Sequence, residues 1–149
     1  MRLFFVFLLS ICFSVIYAQE ITLDGFYYLN GELYSGTVTE EYPSGNIKLR
    51  LSVRNGELHG KSEYYYPDGK LDEIRSFSKG LKHGKWLKYN ENKVLISVAK
   101  YKKDLKHGTW KIWDDKGILR YILKYKNGEK TGTWEIYNEK GELEETKTY

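Results

Sequence analysis

The sequence predicts an all-β fold, an elongated single-layer antiparallel meander of about five stacked β-hairpin repeats. Three observations carry this. Gly36, Gly60, Gly84, Gly108 and Gly132 stand 24 residues apart without a slip. Three further ladders keep the same beat: Trp86, Trp110 and Trp134; Phe77, Tyr101, Tyr125 and Tyr149; and Ile47, Leu71, Leu95, Leu119 and Leu143. Within a period, apolar residues alternate with polar ones on either side of a Gly-bearing turn, and no helical spacing appears after residue 18. A fixed period of this length marks a repeat array, in which each unit buries its apolar face against its neighbours.

The first 18 residues stand outside the array. Arg2 is followed by an uncharged run from Leu3 to Tyr17, and Ala18 sits before a cut that leaves Gln19 as the mature N-terminus. This pattern reads as a secretory signal peptide, although Ile16 is larger than the residue preferred three positions from such a cut. A retained membrane anchor is disfavoured, because the run falls short of the ~20 apolar residues that span a bilayer. Leu9-Ser10-Ile11-Cys12 offers a lipoprotein alternative, but Ile11 is too large beside the cysteine. Removing residues 1–18 removes the single cysteine and the single methionine, so no disulfide, thiol chemistry or sulfur ligand is expected in the exported chain. The expected location is periplasmic, cell-surface or secreted.

Residues 19–149 form the repeat domain, with repeats at about 30–54, 55–78, 79–102, 103–126 and 127–149. Ile47, Leu49, Leu51 and Val53 alternate with Lys48, Arg50, Ser52 and Arg54, the period-two pattern of a half-buried strand. Leu119, Tyr121, Leu123 and Tyr125 repeat it, whereas Glu73 and Arg75 interrupt it in the second unit. Pro43-Ser44-Gly45, Pro67-Asp68-Gly69, Asp114-Asp115-Lys116-Gly117 and Asn138-Glu139-Lys140-Gly141 divide the units into hairpins. Lys93 breaks the glycine rule in the third unit, where Asn92 or a shifted turn is expected to take over. Connections such as Asn55-Gly56-Glu57-Leu58-His59-Gly60 link one hairpin to the next, and Phe26-Tyr27-Tyr28 reads as a lone entry strand. Five hairpins and that strand give an expectation of about eleven strands.

Units of the form Gly-x-Trp-x-x-Tyr-x-x-x-Gly, joined by Asn-Gly-x-x-x-Gly, resemble the MORN-variant repeats of YwqK-type antitoxin proteins across about residues 30–149. The resemblance implies an elongated β-sheet, a role in binding and, in some members, a toxin as the partner. A signal peptide sits awkwardly with a cytoplasmic toxin.

Candidate chemistry is sparse. His59, His83 and His107 occupy equivalent positions, but equivalent residues two strands apart are separated by ~9.6 Å, too far for shared zinc ligation. They read as turn residues before a structural glycine, a slot that Ser35 and Thr131 fill elsewhere. No Gly-x-Ser-x-Gly elbow occurs, and Glu144 and Glu145 are adjacent on a strand and point to opposite faces. No enzyme activity, metal or cofactor is expected. Lysines are scattered through every repeat, so no nucleic-acid footprint is expected either.

The aromatics are the informative residues. Alternation puts Trp86, Trp110 and Trp134 on one face, as structural positions alongside Gly36, Gly60, Gly84, Gly108 and Gly132. Tyr65, Tyr89, Trp113 and Tyr137 fall on the other face and are the candidate binding residues, since Tyr and Trp are favoured at interfaces. The reading is an exported, non-enzymatic module that binds a protein partner. The alternative is an envelope-surface module that takes glycan or lipid headgroups through stacked aromatics and lysines.

Overall fold

The computed structural model describes Glu20, Ile21 and residues 25–149, with side chains from residue 25 onward. The signal-peptide reading and Cys12 lie outside these residues.

Each unit is an antiparallel hairpin, because its two apolar stretches are long enough to pair and the turn between them supplies a left-handed residue. The paired strands are Gly36–Glu41 with Ile47–Arg54, Gly60–Tyr65 with Leu71–Ser78, and Gly84–Tyr89 with Leu95–Lys102. The last two are Gly108–Trp113 with Leu119–Lys126 and Thr133–Tyr137 with Leu143–Thr148. These ten strands lie side by side in chain order, as an open antiparallel meander. No helix occurs among the described residues.

Four two-residue strands bring the sheet to fourteen: Glu57–Leu58, Leu81–Lys82, Leu105–Lys106 and Glu129–Lys130. They correct the reading of these segments as plain connections. Each folds back on the strand before it, as in the pairs Val53↔Leu58 and Arg54↔Glu57. The two residues at the bend both have positive φ, 49° and 75° at Asn55 and Gly56. That is a type I′ turn, whose twist suits a two-residue hairpin loop. Lys103 and Asp104 adopt the same geometry without glycine, at 52° and 66°.

The expected lone entry strand is not alone. Tyr27–Leu29 pairs with Glu20–Ile21 on one side and Glu32–Leu33 on the other, in a separate three-stranded sheet. This small sheet docks on the first hairpin through backbone bonds from Tyr27 N–H to Gly56 and from Gly56 N–H to Tyr34, at 2.9 and 2.8 Å.

Every hairpin carries a register shift near its four-residue turn. In the third unit Lys88 opposes Ser97, but Tyr89 opposes Leu95, so Ile96 is the extra residue of a β-bulge. Equivalent shifts set Glu41 opposite Ile47, Tyr65 opposite Leu71, Trp113 opposite Leu119 and Tyr137 opposite Leu143. This corrects the uninterrupted alternation read for Ile47 to Val53 and for Leu119 to Tyr125. The bulge breaks period two and moves the Ile/Leu ladder opposite the candidate binding residues. Lys93 also differs from expectation: it takes the left-handed conformation itself, at φ 62°, with no shifted turn.

Candidate binding surface

Opposed residues share a face, so Trp86 lies beside Ala99, and Trp110 beside Leu123. Two of the ladders seen in the sequence merge here. Phe77, Trp86, Tyr101, Trp110, Tyr125, Trp134 and Tyr149 form one unbroken stack, with successive ring centroids 5.5, 4.9, 5.2, 5.2, 5.2 and 4.7 Å apart. The tilted contacts, with interplanar angles between 54° and 61°, match the geometry that ring quadrupoles favour. Each indole donates its Nε1–H to a carbonyl on the preceding second strand: Trp86 to Ser76, Trp110 to Lys100 and Trp134 to Lys124, at 3.0, 2.9 and 2.9 Å.

The stack is clothed by cations. Lys106 Nζ lies 4.9 Å from the Trp110 ring and 5.0 Å from Tyr125. Lys82 covers Trp86 and Tyr101 in the same way, and Lys130 covers Trp134 and Tyr149. The type I′ turns bring these lysines back over the face, which is why a connection too short to look like a strand matters here. Burial raises the pKa of the Tyr101 and Tyr125 phenols.

Towards the N-terminus the same positions change chemistry. Ser62 and Val38 stand where the tryptophans stand, and Leu58 replaces the covering lysine. Val38, Leu51 and Val53 form the aliphatic core there, with Tyr27, Tyr34, Leu49, Leu58 and Tyr64 packed against it. At the junction Arg75 caps the stack, with its guanidinium 4.1 Å from the Tyr64 ring and 5.2 Å from Trp86. Glu73 accepts hydrogen bonds from Arg75 Nε at 2.6 Å and from Lys88 Nζ at 2.7 Å. The interruption noted at Glu73 and Arg75 is thus an internally paired charge cluster. Burial opposes ionisation of Glu73, but the bonds from Arg75 and Lys88 outweigh it and hold the carboxyl below its usual value.

Tyr65, Tyr89, Trp113 and Tyr137 lie three residues from the positions of the ladder and so face the opposite side. All four are half-buried and sit at the bulges. Being two strands apart, they are spaced by about 9.6 Å, too far to stack on each other. Tyr65 Oη donates to Glu63 at 2.6 Å, and burial together with that bond raises its pKa. The Tyr137 phenol donates to Glu135, which raises its pKa in turn. These bonds hold the rings beside carboxylates on the same face.

The histidines are placed by backbone bonds: His59, His83 and His107 donate their N–H groups to Ser52, Ser76 and Lys100 at 2.9 Å. His59 Nδ1 also accepts from Lys79 N–H at 3.4 Å. Among the described residues no three His, Cys, Asp or Glu side chains converge in a way that could hold a metal.

The family model of the MORN repeat variant matches residues 58–79, 82–103, 106–127 and 130–149, together more than half of the chain. The chain belongs to the MORN repeat variant family. Three of the four matched segments begin at a covering lysine, Lys82, Lys106 or Lys130, and span the glycine, the tryptophan and the closing aromatic, whereas the first begins at Leu58 and carries Ser62 at the tryptophan position. The first hairpin, Gly36 to Arg54, lies outside the matched segments, where the tryptophan and lysine are absent. MORN repeats are in general binding modules for proteins or membrane lipids rather than catalysts. No curated protein matches the chain.

Proposed function

We propose that the chain is an exported, non-enzymatic MORN-variant module that binds a protein partner through the face bearing Tyr65, Tyr89, Trp113 and Tyr137. One observation carries this reading. The two faces differ: one closes its rings into a lysine-covered stack, and the other presents a separate aromatic ring in each of the last four units, with Glu41 at that position in the first. Rings at a regular step suit an extended partner that touches several units, and Tyr and Trp concentrate interface energy. Export rests on Arg2, the uncharged run to Tyr17 and Ala18. The resemblance to YwqK-type antitoxins favours a protein partner, and export places that partner outside the cytoplasm.

A second reading rests on Lys82, Lys106 and Lys130, which are exposed and equivalent in three successive units. Such a row suits anionic headgroups or glycans. The two are separated by a crosslinking pull-down from the envelope fraction, run beside sedimentation with cell-wall polysaccharide and with anionic liposomes. Trp113→Ala is expected to weaken capture of the protein partner about thirtyfold, the loss of a typical interface anchor, and to leave the melting temperature within a few degrees. Unchanged capture by Trp113→Ala, or binding to liposomes alone that Lys106→Glu abolishes, overturns the protein-partner reading.

A further inference from the structure

The strand Leu143–Thr148 is exposed along its whole length, and among the described residues no strand pairs with its outer edge. Leu143 is 56 % exposed and Tyr149 48 %, whereas Ile47, Leu71, Leu95 and Leu119 at the position of Leu143 are half-buried. An open edge of this kind is a template for another strand. We propose that it pairs with the same strand of a second copy of this chain, antiparallel about a two-fold axis at Thr146.

The hydrogen-bond phase comes from the inner side. Tyr149 and Gly132 exchange both backbone bonds, at 3.0 and 3.1 Å. Antiparallel ladders alternate between bonded and non-bonded pairs. Lys147 and Glu145, opposite Trp134 and Ile136, therefore direct their backbone groups inward, and Thr146 and Thr148 direct theirs outward. A two-fold axis at Thr146 lets the two Thr146 residues exchange both bonds.

Charge selects this register. With the axis at Thr146, Glu145 of each copy opposes Lys147 of the other, an opposite-charge pair directly across the strands. An axis at Lys147 would oppose two lysines. Head-to-tail extension of the array, in the register that pairs Tyr121 with Ile136 and Ile122 with Glu135, would set Glu145 against Glu40. That like-charge contact disfavours filaments. The joint is short, but neighbouring hairpins of the array are already joined through only two paired residues of their long strands.

Sedimentation equilibrium of the full chain, with and without equimolar mixing of variants, tests the pairing. The unaltered chain is expected to show a reversible monomer–dimer equilibrium that weakens with salt. Glu145→Lys alone and Lys147→Glu alone each oppose like charges across the axis, and each is expected to raise the dissociation constant at least tenfold. Mixing the two variants creates complementary pairs between chains and restores the dimer. The ion pair that Glu145 and Lys147 make within one chain at 3.4 Å stays broken in both variants, so recovery on mixing reports contact between chains. Thr146→Pro removes a donor that faces outward and is expected to leave a folded monomer. A chain monomeric at every concentration, a dimer that survives both charge changes, or a mixture that stays monomeric overturns the proposal.

Discussion

Trp110 Nε1 donates to the carbonyl oxygen of Lys100, ten residues earlier, at 2.9 Å. That carbonyl lies on the second strand of the preceding hairpin, so the bond joins two units while the indole stacks between Tyr101 and Tyr125. Truncating Trp110 removes the packing, the bond and the ring contacts together. Trp110→Ala is expected to cost about 3 kcal/mol. Trp110→Phe keeps a ring in place and loses the donor, at about 1 kcal/mol. Urea unfolding followed by circular dichroism checks the order, and equal midpoints for the two variants would contradict it.

Lys93 and Gly108 are a matched pair of backbone tests. Lys93 sits at φ 62°, where equivalent turns carry Gly45, Gly69, Gly117 and Gly141. A side chain there is disfavoured by about 1–2 kcal/mol, partly offset by the extra freedom glycine gains on unfolding. Lys93→Gly should therefore stabilise by roughly 0.5–1 kcal/mol. Gly108 has φ 68°, and an added Cβ would stand 3.1 Å from Lys100 Cδ. Gly108→Val should destabilise by more than about 1 kcal/mol, mainly through the backbone, because a lysine stem can move aside. Thermal melts with shifts of the same sign for both variants would refute this account.

Ser62 is wholly buried, and its Oγ has no hydrogen-bond partner. It occupies the position of Trp86 one unit earlier, where the aromatic stack gives way to the aliphatic core. Burying an unpaired hydroxyl costs about 1–3 kcal/mol, so Ser62→Ala should be neutral to stabilising by about 1 kcal/mol. A loss of more than 1 kcal/mol in chemical denaturation would show that the hydroxyl finds a partner in solution.

Glu73 gives the fold a pH dependence of defined sign. Its carboxyl titrates below the unfolded value because Arg75 and Lys88 donate to it more strongly than burial disfavours its charge. The stabilisation is full above the ordinary carboxylate pKa and is lost as pH falls through the lower folded value. The stability gap between the unaltered chain and Glu73→Gln should thus be largest near neutrality and shrink in acid. Denaturation midpoints measured across pH 2–7 check it, and a gap that grows in acid would exclude the mechanism.

Much of the fold was legible in residue type and spacing. The period, the hairpins and the left-handed turns at Asn55-Gly56 or Asn127-Gly128 all leave marks, because glycine and asparagine are chosen where φ is positive. The bulges leave none. Ile96 is the extra residue of its hairpin, yet nothing in its type separates it from Val98, so plain alternation puts Leu95 on the wrong face. The covering lysines were equally silent, since Lys82, Lys106 and Lys130 look like solvated loop residues until the two-residue strands turn them over the rings. Merging of the Trp and Tyr ladders needed the pairing register, which depends on hydrogen bonds rather than on side chains.

The change of core chemistry between Ser62 and Phe77 also divides the chain optically. All four tryptophans, Trp86, Trp110, Trp113 and Trp134, belong to the three hairpins beyond that boundary. Indole fluorescence therefore watches the C-terminal part of the array and is blind to the valines and leucines of the first hairpin. In a one-dimensional array the two parts can melt apart, so emission and far-ultraviolet dichroism recorded on one sample can trace two separate curves from a single polypeptide.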